Sequence, residues 1–139
     1  MDYYINAEEQ LEGARVLADA GKYRLSVTLL CLSCELFLKS LAERKDAMNP
    51  LLDSHDIVGL GYMIRDDVDY KSLAPKLTFM RKYLNDSRYP FDSKVYSKEL
   101  YERCLESVLA VKHGVDFVIS SKSDAERLGE KFGKDNVSD

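Results

Sequence analysis

Cys31 and Cys34 stand in the order CLSC, a spacing that serves zinc ribbons and dithiol redox sites. Here the pair falls mid-helix between leucines. Neither a second CxxC nor a nearby histidine completes four ligands, so buried core thiols are expected. A di-iron bundle site needs Glu-x-x-His on its helices. The residues three before the two histidines, His55 and His113, are Leu52 and Ala110, which excludes that class. GEKFGK at 129–134 has the residue types of a phosphate loop. Its glycines are too close, Asp135 follows the lysine where Ser or Thr is needed, and no strand precedes it. No metal and no cofactor is expected.

The polar candidates are fewer. Glu35 and Lys39 lie four apart in the order that stabilises a helix, by about 0.2–0.5 kcal/mol where exposed. On an enclosed helix their charges need partners, for which Arg24 and Arg88 are available; a structural ion pair and a ligand contact are both open. His55 follows Ser54, a residue suited to cap a helix, so it reads as either a half-exposed first-turn residue or a cleft residue facing phosphate or base. His113 falls opposite an apolar seam and is expected in solvent. In Arg88-Tyr89-Pro90 the proline biases Tyr89 toward extended backbone. An arginine fork beside an aromatic face suits a ligand with a phosphate and a base. From Lys71 to Arg88 five basic residues (Lys71, Lys76, Arg81, Lys82, Arg88) face one acidic residue, Asp86. A solvated face with Arg88 paired to a carboxylate explains the same residues.

Helices must position these groups. Tyr4, Ala7, Leu11, Ala14 and Ala18 form one stripe over residues 2–20, and Gly21 ends it. A second helix over 23–44 carries two stripes, Leu25, Leu29, Leu32 and Leu36, and Leu30, Cys34, Phe37 and Leu41, which makes it the central helix. KDAMNPLLDS is a loop. A short third helix follows with Ile57, Leu60 and Ile64 inward, weakened by Gly59 and Gly61. A fourth holds Leu73, Leu77, Met80 and Leu84, with Pro75 expected in its first turn. The fifth repeats Tyr101, Cys104, Val108, Val111, Val115 and Val118 at spacings of three and four, a seam that fits its own bundle, a second subunit, or both. The chain therefore reads as all-α, an up-and-down bundle of four to five helices over residues 1–122, with a polar C-terminal tail at 123–139 that is partly helical or disordered.

Composition narrows the function. Twenty basic against twenty-four acidic residues give a net charge of -4 and a pI near 5.3, so nucleic acid cannot be held by overall charge and needs a local patch. Three cysteines and 45% apolar residues fit reduced thiols and a core without staples. The polar start MDYYINAEEQ has no signal-peptide pattern, and the apolar runs are shorter than the ~18 residues of a membrane span. A cytoplasmic protein without membrane contact is expected.

The ordered series CLSCELFLKSL, SHDIVGL and SRYPFDSKVY, leading into a long last helix, resembles the HEPN domain (higher eukaryotes and prokaryotes nucleotide-binding) over residues 5 to 120. In that family E-x-x-LK, HD-x-x-L and an RYP turn recur in this order. The resemblance implies a helical bundle, usually a homodimer, that binds a nucleotide or RNA. It also implies a minimal nucleotidyltransferase subunit as partner, with some members acting as toxins in toxin–antitoxin pairs. By position Glu35, Lys39, His55, Arg88, Tyr89 and Pro90 match the family's motifs, and the resemblance carries over Glu35, Lys39, His55, Arg88 and Tyr89 as nucleotide-binding candidates.

The departure concerns catalysis. Nuclease members carry Arg followed after four to six residues by His, where imidazole acts as general base and the arginine steadies phosphate. Positions 106–108 before His113 are Glu, Ser and Val, and positions 48–50 before His55 are Met, Asn and Pro. Neither histidine qualifies, so no catalytic residue is assigned. Three readings follow: a nucleotide- or nucleic-acid-binding module, a ligand-free structural homodimer, and an RNase toxin with an unrecognised site. The first is favoured. Incubation of the protein with RNA in EDTA is expected to leave the RNA intact; cleavage lost in His55→Ala or His113→Ala would overturn this.

Overall fold

Asp2 opens the first helix, its carboxylate accepting the Ile5 backbone N–H at 3.1 Å. The computed structural model describes residues 2–87 and 96–136, and among them the chain forms five α-helices and no strand. These are α1 (Tyr3–Asp19), α2 (Tyr23–Lys45), α3 (Ile57–Met63), α4 (Tyr70–Asp86) and α5 (Lys98–Asn136). The all-α bundle expected from the sequence is what the chain adopts. Between α1 and α2 Gly21 takes φ +76°. Its N–H reaches Ala18 O at 2.9 Å and the next, from Lys22, reaches Leu17 O at 2.8 Å. This paired closure of the last carbonyls needs a residue free of the Cβ clash at positive φ.

Small residues let α1 and α2 approach closely. Ala7 and Ala14 are fully buried, and on α2 the Ser33 and Ser26 hydroxyls donate to the Ala7 and Ala14 carbonyls at 2.8 and 2.7 Å. The pairing 7 with 33 and 14 with 26 sets the helices antiparallel. Tyr23 beside Tyr101 and Phe37 beside Lys112 set α2 and α5 parallel, while Cys31 beside Met80 and Arg24 beside Ser87, just past the end of α4, set α4 antiparallel to α2. Helix α2 is the centre, in contact with α1, α3, α4 and α5. Of its two expected stripes only one is fully enclosed. Leu30, Cys34, Phe37 and Leu41 are buried, whereas Leu25 is 40% exposed and Leu29, Leu32 and Leu36 are half-buried, because the neighbours leave that side least covered. By length and hydropathy α2 would suffice to cross a membrane, which its interrupted apolar runs had not suggested. Yet 67% of its most apolar window is buried inside the bundle, as a core helix requires.

Between α2 and α3 the expected loop contains one 3-10 turn, Pro50–Asp53, opened by Asn49 accepting from Leu51 N–H at 2.9 Å. The cap of α3 is Asp56, which accepts from Gly59 N–H at 2.9 Å, and not Ser54, whose hydroxyl instead donates to Leu51 O. Ile57, Leu60 and Ile64 point inward as expected. Helix α4 starts at Tyr70, so Pro75 sits in its second turn instead of its first. The buried face of α4 (Leu73, Leu77, Met80, Leu84) overrides the hydrogen bond that Pro75 cannot donate. The α5 seam from Cys104 to Val118 is buried within this one chain. The α5 backbone stays helical through 136, within the stretch 123–139 read as a polar tail, partly helical or disordered.

Gly61 is a packing requirement and not only a weak helix former. A Cβ there would lie 2.2 Å from Leu77 Cδ1, and Leu77 is itself 1% exposed. Gly61→Ala is expected to lower stability by about 1–3 kcal/mol through overpacking, although alanine favours helix. Urea denaturation checks this; unchanged or higher stability would show that α3 and α4 can part freely.

Candidate functional site

The middle of α2 places two charges in the core one turn apart. Glu35 and Lys39 have side chains only 3% and 7% exposed, and Lys39 Nζ donates to Glu35 Oε2 at 3.2 Å. The second carboxylate oxygen, Oε1, is 2.8 Å from Nδ1 of His55. A carboxylate engaged by an ammonium can only accept, so Nδ1 carries the proton and donates. His55 stands at the α2–α3 connection, immediately before the Asp56 cap, and its side chain is 62% exposed. The result is a chain of contacts from core to surface: ammonium, buried carboxylate, exposed imidazole. The geometry fixes the ring while its outer nitrogen faces solvent, where it can meet an oxygen of a phosphate or hydroxyl.

Glu35, Lys39 and His55 are thus brought together, as a structural cluster and an accessible group at once. The partner of Glu35 is His55, which had not been considered; Arg24 is elsewhere, donating through Nη1 to Ser87 O at 2.8 Å. Arg24 precedes Glu35 by eleven residues, about 16 Å along a helix axis. Arg88, Tyr89 and Pro90 lie outside the described residues. His113 is exposed, without a hydrogen bond or ion pair among the described residues.

Cys31, Cys34 and Cys104 are all buried. Burial pushes the Cys34 thiol up to about 12, with the nearby Glu35 charge adding to it, and pushes Cys104 up to about 12 as well. A thiol so strongly held in its protonated form is a poor nucleophile and metal ligand. Among the described residues no group of three or more His, Cys, Asp and Glu side chains could hold a metal ion.

One polar cluster escaped the sequence reading. Tyr4 on α1 donates its hydroxyl hydrogen to Asp116 on α5, and Lys112 Nζ reaches Asp116 at 2.7 Å and the Tyr4 oxygen at 3.2 Å. Burial, then the bond to Asp116, raises the Tyr4 pKa; the bond to Asp116 raises that of Lys112. Both keep their protons, so the cluster ties α1 to α5 without supplying a base. The spacing of Lys112 and Asp116 was visible, but nothing in the sequence linked them to Tyr4. Beside the cluster a groove of about 520 Å³ is lined by Ile5, Arg44, Asp116 and Ile119.

Residues 1–118 match the family described as the HEPN domain. Comparison of the chain with curated proteins and with solved structures found no match.

Removing Glu35 while Lys39 stays buried leaves an uncompensated charge. Glu35→Ala is expected to cost about 3–5 kcal/mol, and the double change Glu35→Leu with Lys39→Met much less, by the rule for buried pairs. Guanidinium unfolding curves decide it: equal losses in both variants would mean that the pair is not coupled.

Proposed function

Because the chain belongs to the HEPN family, we propose that it is a nucleotide- or nucleic-acid-binding helical module that works with a nucleotidyltransferase-type partner, as in a toxin–antitoxin pair. The carrying observation is the imidazole of His55, fixed by a buried carboxylate and open to solvent. A free surface histidine would lose rotamer freedom on binding; this ring has its orientation set in advance, which lowers the cost of engaging an anion. In its protonated form the ring offers a second N–H to a phosphate oxygen. Arg88 and Tyr89 belong to the proposal on the strength of their sequence pattern. Cytoplasmic location and a homodimer are part of the same reading. A dimer built on the α5 seam loses its basis, since that seam is consumed within the chain.

One observation speaks for an RNase instead: a carboxylate-oriented imidazole is also the arrangement of a general base. Cleavage in EDTA separates the two. For the binding reading, ATP or GTP at a hundred times its dissociation constant would stabilise the fold by about 2.7 kcal/mol, seen as a raised melting temperature. His55→Ala is expected to remove that rise and also to lower the unliganded melting temperature, because one oxygen of the buried Glu35 carboxylate loses its donor. A wild-type protein indifferent to both nucleotides and to short RNA would sink the proposal.

A further inference from the structure

Three aromatic rings cross the face between α4 and the start of α5. Phe79 meets Tyr83 edge-on with centroids 5.4 Å apart, and Tyr83 meets Tyr96 edge-on at 6.3 Å. The middle ring is 7% exposed and braces the outer two, which are half-buried. Each outer ring lines a groove. Phe79 shares one of about 270 Å³ with Lys76, Arg103 and Glu106, and Tyr96 shares one of about 290 Å³ with Lys22, Tyr23 and Arg24. Cations accompany the row: the Arg103 guanidinium lies 4.3 Å from the Phe79 centroid and Lys82 Nζ 5.6 Å from that of Tyr83.

Among the described residues, none of Lys22, Arg24, Lys76, Lys82 and Arg103 has a carboxylate within ion-pair distance. Arg24 spends one donor on the neutral Ser87 carbonyl and keeps its charge uncompensated. Glu106 in the first groove, Asp86, close enough to raise the Tyr96 pKa, and Asp19 and Glu102, whose charges reach Tyr101 beside Tyr23, oppose them. Five cations against four carboxylates leave a small local surplus in a chain whose net charge is -4, and none of the five cations is held in an ion pair among the described residues. Half-buried rings at both ends of the row, with guanidinium and ammonium groups beside them, suit a strand whose bases stack on ring faces and whose backbone is charged. A duplex hides its base faces and would use only the cations.

We propose that this α4–α5 face, from the Lys76–Arg103 groove to the Lys22–Arg24 groove, is a track for single-stranded nucleic acid. The inference rests on the nucleic-acid reading of the family but places the strand on a surface separate from His55. The outer rings stand no more than about 12 Å apart, so a short oligonucleotide spans both grooves and the phosphates meet cations at each end.

Fluorescence anisotropy with a labelled oligouridine of ~10 nucleotides, titrated at several salt concentrations, tests the track. Lys82→Gln with Arg103→Gln, both exposed in the folded chain, is expected to weaken binding at least tenfold and to lower the salt slope by about one per lost phosphate contact. Lys22→Gln is expected to act in the same direction at the other groove. Binding abolished by His55→Ala but indifferent to the cation variants would overturn the track and leave the proposed function standing. So would a wild-type protein that responds to ATP or GTP but not to oligouridine. Equal affinity for a duplex of the same length would also overturn it, since backbone charge alone would then explain the binding.

Discussion

A charged pair inside an apolar helix constrains this bundle more than any other feature. Helix α2 is enclosed on most sides, yet it carries Glu35 and Lys39 with side chains almost without solvent. Taking two ions out of water costs several kcal/mol each, and their attraction offsets this only when the remaining lone pairs are used. Lys39 takes one carboxylate oxygen and His55 the other. The α2–α3 connection therefore has to bring His55 back onto the middle of α2. The Asn49 turn, the Asp56 cap and the inward Ile57, Leu60 and Ile64 hold it there.

The same constraint separates two kinds of chemistry on α2. At its centre a carboxylate orients one exposed imidazole, a group that can meet an anion or move a proton. At its N-terminal end, about 16 Å away by helix rise, Arg24 and Lys22 sit with tyrosines and are joined through Tyr96 and Tyr83 to the α4 face. The buried thiols between them add nothing reactive, because burial holds Cys34 and Cys104 protonated. The chemistry of the fold is thus displaced to its surface, at the connections and along α4.

Most of the architecture was legible because helical periodicity records which side of a helix is covered. The buried sets Ala7–Leu11–Ala14, Ile57–Leu60–Ile64 and Cys104–Val108–Val111–Val115 follow from spacing alone. Local chemistry was less reliable by one or two residues. Ser54 and Asp56 are both good caps, and only the backbone path selects Asp56. Pro75 suggested a first turn, but buried leucines on α4 outweigh one missing hydrogen bond.

Residue order by itself determined that this chain is helical, that α2 lies at its centre, and that Glu35, Lys39 and His55 were worth attention. Each of these depends on local spacing or on residue type. Which oxygen meets which nitrogen was decided only by tertiary packing: His55 against Glu35 across twenty residues, Tyr4 against Asp116 across 112, and Arg24 against Ser87 instead of a carboxylate. Such contacts join segments whose separation along the chain carries no periodic signal, so they exist only once the helices have fixed their relative positions.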